Sequence, residues 1–396
     1  MTGASTTGAL PTEGFSFRET ARDGEARTGV FVTPRATVET PVFMPVGTLA
    51  TVKGLTPAEV EATGARLILA NTYHLWLRPG AEAIAELGGV PAFMAWDHAL
   101  LTDSGGYQVF SLADRRSIDA DGVTFRSHLD GAKKRLTPEE SMRVQRLLAS
   151  TIAMVLDVCP PGGATRAEVE EAMRLTTTWA KRSLAAPAAE GQARFGIVQG
   201  GVHEDLRRAH MDDIAALPVD GVALGGFSVG EPLEVMHALF HAIAPRLPRD
   251  KPRYVMGIGT PFDLLEAMGA GVDLFDCVLP TRHARNAQAL TWRGRVNVRQ
   301  ARHATDGAPL DPDCSCPVCA RFSRAYLRHL VKANALLGHR LITEHNLHFY
   351  GELCRQARAH IAAGDYARWA RATAEAMRAG DEIGPEDPGS RGRRAG

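Results

Sequence analysis

Three aspartates lie in sequence contexts where a carboxylate could act as a nucleophile or move a proton. Asp103 lies in LTDSGGYQ, where two glycines allow a ligand to approach the backbone and could form an anion-binding nest. Asp273 and Asp276 are three residues apart in GVDLFDCVL, which in a strand places them on opposite faces. One should therefore point into a site and the other should make a structural contact. Paired carboxylates on distant strands can displace a group at an anomeric carbon, whereas the alternative is a salt bridge to Arg282 or Arg285.

Two more polar residues end apolar runs and suggest recognition of a base. Asp157 and Cys159 lie in VLDVCPP, and Gln199 lies in IVQGG. An aspartate with a glutamine can bind the donor and acceptor edge of a purine. The alternative is that Gln199 caps a turn and Cys159 is a small buried apolar residue.

A local excess of arginine follows the last of these motifs. Residues 277–305 contain six arginines and no acidic residue, although the whole chain is neutral with 45 Lys plus Arg and 45 Asp plus Glu. Neutrality excludes a strongly basic nucleic-acid-binding protein, but a stretch of one sign beside a candidate site favours contact with phosphate or RNA. The arginines are Arg282, Arg285, Arg293, Arg295, Arg299 and Arg302.

Three clustered cysteines predict a metal site. Cys314, Cys316 and Cys319 have spacings that one zinc ion can accept. Spacing leaves the fourth ligand open, and a site with four protein ligands would be structural because no position remains for water. The candidates for the fourth ligand are His329, His339, His345, His348 and Cys354.

Eight short apolar runs alternate with helical patterns and must position these residues. Continuous hydrophobicity is typical of parallel strands covered on both faces, so the pattern predicts a (β/α)8 barrel, with a doubly wound sheet as the alternative. An inserted β-hairpin is predicted within VTFRSHLDGAKKRL, where Asp130-Gly131 forms the turn. The runs begin at Val42, Arg66, Ala99, Ile152, Phe195, Gly221, Tyr254 and Leu274.

Polar residues stand at the carboxyl end of several of these runs. In a barrel the carboxyl ends of the strands line the active-site mouth, and several polar residues there favour function over simple helix capping. Asp276 lies inside the last run. The strand-end residues are Asn71, Asp103, Asp157, Gln199, Gly225 and Gly226.

Composition predicts a globular protein with loose ends. The chain is 45% apolar, no apolar run approaches the ~18 residues of a membrane helix, and no secretion signal is recognisable, so a cytoplasmic location is expected. The predicted divisions are a flexible segment 1–14, a catalytic barrel 15–290, a zinc-binding helical subdomain 291–379 packed on the barrel, and a disordered tail 380–396.

An ordered set of motifs resembles the bacterial tRNA-guanine transglycosylase family, also called queuine tRNA-ribosyltransferases. TDSGGYQ, LDVCPP, VQGG, ALGGFSVGE, YVMGIGTP, FDCVLPTRHARN, and CSCPVC with TEHN occur in this order. The resemblance implies a zinc-containing (β/α)8 barrel that exchanges the wobble guanine of GUN-anticodon tRNAs (Asp, Asn, His and Tyr) for 7-aminomethyl-7-deazaguanine (preQ1) in queuosine biosynthesis. A homodimer with one structural zinc ion per subunit, acting on the tRNA anticodon loop, is implied too.

The resemblance also implies roles for individual residues. Asp276 matches the nucleophile that forms a covalent ribosyl-enzyme, and Asp103 matches the general acid/base. Tyr107 and Met256 match residues that sandwich the purine. The residues that match the base-binding set are Asp103, Ser104, Gly105, Gly106, Tyr107, Asp157, Gln199, Gly226 and Met256.

The resemblance also implies two tRNA-contacting segments and four zinc ligands. The tRNA-contacting residues are Gly257, Ile258, Gly259, Thr260, Pro261, Phe262 and Asp263, with Thr281, Arg282, His283, Ala284 and Arg285. The zinc ligands are Cys314, Cys316, Cys319 and His345. Phe227 stands where leucine is commoner and Tyr107 where phenylalanine is frequent, which leaves fine substrate preference open.

Three other functions compete with exchange of a base. A non-catalytic, zinc-stabilised RNA-binding protein would show no exchange of guanine. A two-carboxylate glycoside hydrolase would need an open, aromatic-lined sugar cleft, and the arginine-rich stretch argues against it. A metal-dependent hydrolase would lose activity immediately on chelation, whereas loss of a structural zinc acts slowly through unfolding.

Overall fold

The computed structural model describes residues 14–112 and 116–383. The strands are β1 (Ser16–Asp23), β2 (Ala26–Thr33), β3 (Ala36–Thr40), β4 (Val42–Pro45), β5 (Leu67–Ala70), β6 (Ala99–Thr102), β7 (Arg116–Asp119), β8 (Gly122–Arg126), β9 (Lys133–Leu136), β10 (Ile152–Met154), β11 (Ala193–Val198), β12 (Gly221–Leu224), β13 (Arg253–Val255), β14 (Leu274–Cys277), β15 (Gln288–Thr291) and β16 (Gly294–Asn297). The helices are α1 (Pro57–Ala62), α2 (Thr72–Leu77), α3 (Ala81–Glu86), α4 (Gly89–Met94), α5 (Gly106–Leu112), α6 (Pro138–Leu147), α7 (Arg166–Ala185), α8 (Glu204–Ala215), α9 (Leu233–Ile243), α10 (Pro261–Gly269), α11 (Leu279–Arg285), α12 (Pro317–Arg321), α13 (Arg324–Lys332), α14 (Leu336–Ala363) and α15 (Tyr366–Ala379).

All eight predicted apolar runs form strands of a single parallel sheet. The strands lie side by side in chain order from β5 and β6 through β10 to β14, and β14 pairs with β4. A parallel bridge between Val46 and Leu69 joins the first strand to the second and nearly closes the sheet. Sequential order with closure is the (β/α)8 barrel, so that prediction is confirmed and the doubly wound sheet is excluded.

The strands are apolar on both faces because both faces are covered. Leu67 and Ile68 on β5, and Leu100 and Leu101 on β6, point alternately inward and outward, yet all four are fully buried. Burying each such side chain contributes about 1.5–3 kcal/mol relative to exposure. This explains why the barrel strands show no alternation in the sequence.

Several barrel helices begin at residues that cap their free N–H groups. Thr56 with Glu59, and Thr165 with Glu168, form reciprocal capping boxes at the starts of α1 and α7. Thr260 accepts a hydrogen bond from the third residue of α10. Loss of a cap of this kind costs about 1 kcal/mol.

A three-stranded antiparallel sheet, β1 to β3, covers the amino-terminal end of the barrel, and sequence reasoning missed it. Arg27 on β2 forms a salt bridge at 2.5 Å with Asp273, which directly precedes β14, and neither side chain is exposed. Asp273 is therefore the structural member of the predicted pair, with Arg27 rather than Arg282 or Arg285 as its partner. The Asp23-Gly24 turn, where Gly24 has a φ of +60°, is the signal that indicates this hairpin.

The predicted inserted hairpin is present and larger than expected. β8 and β9 pair across the predicted Asp130-Gly131 turn, and β7 adds a third antiparallel strand. The hydroxyl of Tyr73 lies 2.8 Å from Nδ1 of His128, which ties this insertion to the helix that follows β5. The insertion therefore lies beside the carboxyl-terminal rim of the barrel.

Beyond the barrel strands, the described residues form helices and one hairpin. The helices α12 to α15 agree with the helical character expected there, whereas the β15–β16 hairpin was not predicted. Of the predicted tail, residues 384–396 lie outside the described residues, but Asp381 pairs with Arg295 at 2.8 Å and Glu382 pairs with Arg302 at 2.5 Å. Of the predicted flexible start, residues 1–13 also lie outside them. No described helix combines the length and the apolarity needed to span a membrane.

Candidate active site

The carboxyl ends of the barrel strands surround a cavity of about 400 Å³. This is the rim at which sequence reasoning placed the polar strand-end residues. All six line the same cavity, together with Asp276 from the last apolar run, because parallel strands bring their carboxyl ends to one rim. The six are Asn71, Asp103, Asp157, Gln199, Gly225 and Gly226.

Asp276 on β14 is held by two hydrogen bonds to one of its oxygens. Its Oδ1 accepts from the hydroxyl of Tyr254 at 2.5 Å and from the backbone N–H of Gly257 at 2.7 Å. Burial raises the pKa of Asp276, and these two donors oppose the rise. Burial and the adjacent carboxylate hold the pKa of Tyr254 well above its usual value, so its hydroxyl remains a donor. The geometry orients the carboxylate and leaves Oδ2 for a ligand.

Asp103 follows β6 and is held more extensively. Its carboxylate accepts from the backbone N–H of Thr72 at 2.8 Å, from Asn71 Nδ2 at 2.5 Å and from Gln108 Nε2 at 2.7 Å. Burial, with a smaller contribution from the charge of Asp276, raises the pKa of Asp103 to about 6 against these three donors. A carboxyl group that titrates near neutrality suits a general acid/base.

The part of the cavity wall beside Asp103 presents the groups that could bind the edge of a base. Asp157 accepts from Ser104 Oγ at 3.1 Å and from Gln199 Nε2 at 2.8 Å, and burial raises the pKa of Asp157 to about 6. The buried Oε1 of Gln199 has no hydrogen-bond partner among the described residues. Gly226 also lines the cavity, and its backbone N–H partly opposes the burial that raises the pKa of Cys159. These groups are suited to a planar ligand with donors and acceptors on one edge.

Of the other residues predicted to bind the base, some line the cavity and others lie in the structure behind it. Tyr107 and Met256 line the cavity, and Tyr107 is 45% exposed. Gly105 and Gly106 do not line it. A Cβ at Gly106 would meet the carbonyl oxygen of Asp157 at 3.0 Å, so this glycine permits close packing of α5 behind the site.

The two segments predicted to contact tRNA expose only part of their residues. In the first, Gly257, Gly259, Thr260 and Asp263 line the cavity, whereas the side chains of Ile258 and Pro261 are buried and Phe262 lies beneath Arg378. In the second, Arg282 lines the cavity and Arg285 is exposed, whereas Thr281, His283 and Ala284 are buried.

Three of the six clustered arginines are neutralised by acidic residues from later in the chain. Arg293 pairs with Asp313 at 2.9 Å, and Arg295 and Arg302 pair with the two acidic residues described above. The local absence of acids in the sequence therefore overstated the positive charge. Arg282 lines the cavity, and Arg285 is exposed three residues further along α11.

Lys53, which sequence reasoning missed, joins these two arginines. Partial burial and the charges of Arg285 and Arg282 lower the pKa of Lys53, and partial burial and the charge of Arg282 lower the pKa of Arg285. Both arginines act on Lys53, and Arg282 acts on Arg285, so the three cations form one cluster. We call Lys53, Arg282 and Arg285 the cationic mouth.

Sequence reasoning also missed the residues that hold the two cavity aspartates. Tyr254 and Gln108 have no distinguishing sequence signal, because their roles depend on partners from other strands. Asn71 was predicted as a strand-end residue of the mouth, but its hydrogen bond to Asp103 was not.

The predicted metal ligands come together in the structure. The ligand atoms of Cys314, Cys316, Cys319 and His345 all lie within 4.8 Å of one another, and they form the one such group of three or more found in the described residues. His345 Nε2 lies 2.7 Å from the carbonyl oxygen of Leu290, so Nε2 carries the proton and Nδ1 is free to bind a metal. Three thiolates and an oriented imidazole form a closed set that can hold a metal ion.

The chain is similar to a large set of known proteins. A family model described as queuine tRNA-ribosyltransferase matches residues 23–379. A queuine tRNA-ribosyltransferase of Sorangium cellulosum is 63% identical over 371 residues, which cover 93% of this chain and 94% of that protein. Proteins of the same name from Herpetosiphon aurantiacus and Nitratidesulfovibrio vulgaris are each 53% identical, over 88% and 90% of this chain and 88% and 96% of theirs.

Proposed function

Because the chain belongs to the queuine tRNA-ribosyltransferase family and is a pentosyltransferase of the tRNA-guanine transglycosylase type, we propose that its barrel-mouth cavity replaces the wobble guanine of tRNA with preQ1. The observation that carries this proposal is that Asp276 and Asp103 line one cavity with the base-edge groups Asp157 and Gln199. The proposed tRNA substrates are those with GUN anticodons, for Asp, Asn, His and Tyr.

The test is exchange of radiolabelled guanine into unmodified tRNA by the purified protein. We expect label in the tRNA, and denaturing electrophoresis should show a protein–RNA adduct. Absence of both would exclude the proposed activity and would favour RNA binding without catalysis.

The proposed chemistry is a double displacement at C1′ of the ribose. The wobble nucleotide must first leave the anticodon stack to reach the cavity. Oδ2 of Asp276 then bonds to C1′ as the C1′–N9 bond breaks, and the departing guanine takes a proton from Asp103. The incoming base returns a proton to Asp103 as it displaces Asp276. Two inversions retain configuration and require no nucleotide cofactor.

Base recognition in this proposal uses the groups already in place. The carboxylate of Asp157 accepts from the ring N–H and amino group of guanine, while Gln199 Nε2 and the Gly226 N–H donate to its carbonyl oxygen. A 7-deazaguanine carries the same edge, so both bases fit. Tyr107 and Met256 are proposed to contact the faces of the ring.

The cationic mouth is proposed to bind the phosphates beside the flipped nucleotide. Lys53→Met is expected to weaken tRNA binding about 3- to 10-fold at low salt, and to reduce the slope of log K against log salt by about one, because one phosphate contact is lost. Filter binding at several salt concentrations measures both. The control is Arg293→Met, which removes an arginine that Asp313 already neutralises. An unchanged slope in the Lys53 variant would remove this residue from the interface.

The metal group is proposed to hold one structural zinc ion. In this closed set the zinc would supply cross-linking rather than chemistry, fixing the start of α12 to α14 near the hairpin that follows the cationic mouth. His345→Ala is expected to lose stoichiometric zinc, measured by atomic emission, and to lower the melting temperature by more than about 5 °C. His348→Ala, three residues along the same helix, should change neither. Full zinc retention by the His345 variant would contradict the assignment.

Two further expectations remain proposals. The exposed apolar side chains of Tyr326, Leu336 and Leu337, with Leu336 86% exposed, are proposed to pack against a second copy in a homodimer. Light scattering of Leu336→Glu should then show a monomer where the parent is a dimer.

The cytoplasm is the proposed location because tRNA is the proposed substrate.

A further inference from the structure

Arg207 is a fully buried arginine that lies behind the base-edge wall of the cavity. It is on α8, and burial lowers the pKa of its guanidinium to about 10. A buried charge is costly unless its donors are satisfied. The proposed mechanism gives Arg207 no role.

Each guanidinium nitrogen of Arg207 donates to a backbone carbonyl in a turn that follows a barrel strand. Nε donates to the carbonyl of Gly201 at 2.7 Å, Nη1 to Gly225 at 3.0 Å and Nη2 to Gly226 at 3.1 Å. The plane of the group also covers the ring of Phe227, with the guanidinium carbon 3.8 Å from the ring centroid. One side chain therefore joins the turn after β11 to the turn after β12.

Glycines in both turns leave the space that these contacts occupy. A Cβ at Gly200, which has a φ of +143°, would lie 2.5 Å from Arg207 Cγ, and a Cβ at Gly226 would lie 2.6 Å from Gln199 Oε1. On the next turn of α8, His210 Nδ1 accepts the backbone N–H of Gln199 at 2.8 Å. The helix thus holds both Gln199 and Gly226 from behind.

We propose that Arg207 is a positioning residue for base recognition, because it ties the backbone of Gly201, two residues after Gln199, to the backbone of Gly226. This inference rests on the proposed function. Its loss should raise the KM for the free base and spare turnover, since Asp276 is held by Tyr254 and Gly257 and the cationic mouth lies elsewhere.

The test compares Arg207→Lys with Arg253→Lys. A lysine keeps the charge but carries all its donors on one nitrogen, so it cannot reproduce the spacing of the three guanidinium hydrogen bonds. Arg253 is also buried and donates to the carbonyls of Gly271, Pro245 and Leu247, but at the opposite end of the barrel. We expect Arg207→Lys to raise the KM for guanine about tenfold while kcat and the KM for tRNA stay within about twofold. Arg253→Lys should lower thermal stability without changing the KM for guanine.

A second variant keeps the inference testable if Arg207→Lys fails to fold. Phe227→Leu removes the ring beneath the guanidinium and should raise the KM for guanine about threefold. Equilibrium titration of the parent and both variants with guanine measures the change in affinity for the base directly, without requiring turnover. A parent that exchanges guanine while the folded variants keep its KM would overturn the role of Arg207 alone. A parent that exchanges no guanine would overturn the proposed function instead.

Discussion

Asp276→Asn is expected to lower guanine exchange at least about 10⁴-fold, because it removes the proposed nucleophile and no covalent ribosyl-enzyme can form. Tyr254 and Gly257 would still bond the side-chain oxygen, so the local geometry should persist. Affinity for tRNA should stay within about threefold, since phosphate contacts dominate it. Single-turnover exchange, adduct electrophoresis and filter binding measure the three quantities.

Asp273→Asn is the matched control for this substitution. Asp273 lies three residues away, is fully buried and faces the opposite end of the barrel, where it pairs with Arg27. Leaving that arginine unpaired should lower the free energy of unfolding by about 3–5 kcal/mol, yet the folded variant should turn over normally. An Asp276 variant that retains exchange within tenfold of the parent, or a folded Asp273 variant that loses it, would contradict the assignment.

Asp103→Asn is expected to lower the maximal rate of exchange about 10²- to 10⁴-fold, because the departing and incoming bases lose the group that moves their protons. Asp157→Asn is the control: it changes a second buried carboxyl group whose pKa is also about 6 and that lines the same cavity. It should raise the KM for the base, because its oxygens bind the base and move no proton. Steady-state kinetics with varied guanine separates the two effects, and equal effects on kcat and KM in both variants would contradict the division of roles.

The raised pKa of Asp103 also fixes the direction of the pH dependence. The protonated form is required for departure of guanine, so adduct formation should slow as the pH rises through about 6. The ionised form is required for attack by the incoming base, so breakdown of the adduct should slow as the pH falls through the same value. The pH dependence of adduct breakdown should be measured at saturating base, because titration of Asp157 then no longer changes how much base is bound. Asp103→Asn should remove both dependences.

The rim of polar residues could be predicted because it depends on local patterns. Short, continuously apolar runs predict parallel strands, and parallel strands bring their carboxyl ends to one rim. Asp103, Asp157 and Gln199 could thus be placed together before any contact was known. Sequence spacing likewise predicted that Asp273 and Asp276 point in opposite directions, but it could not say which one faces the cavity.

The sequence by itself determined the barrel, the residues at its mouth and the three clustered cysteines, since each depends on neighbours within a few positions of the chain. Only the tertiary structure decided which residues are partners across long separations. Arg27 pairs with Asp273 across 246 positions, and Arg295 is neutralised by Asp381 across 86. Lys53 reaches the cationic mouth in the same way. The physical reason is that the charge and burial of a side chain depend on what packs against it, and the closed barrel brings distant segments together.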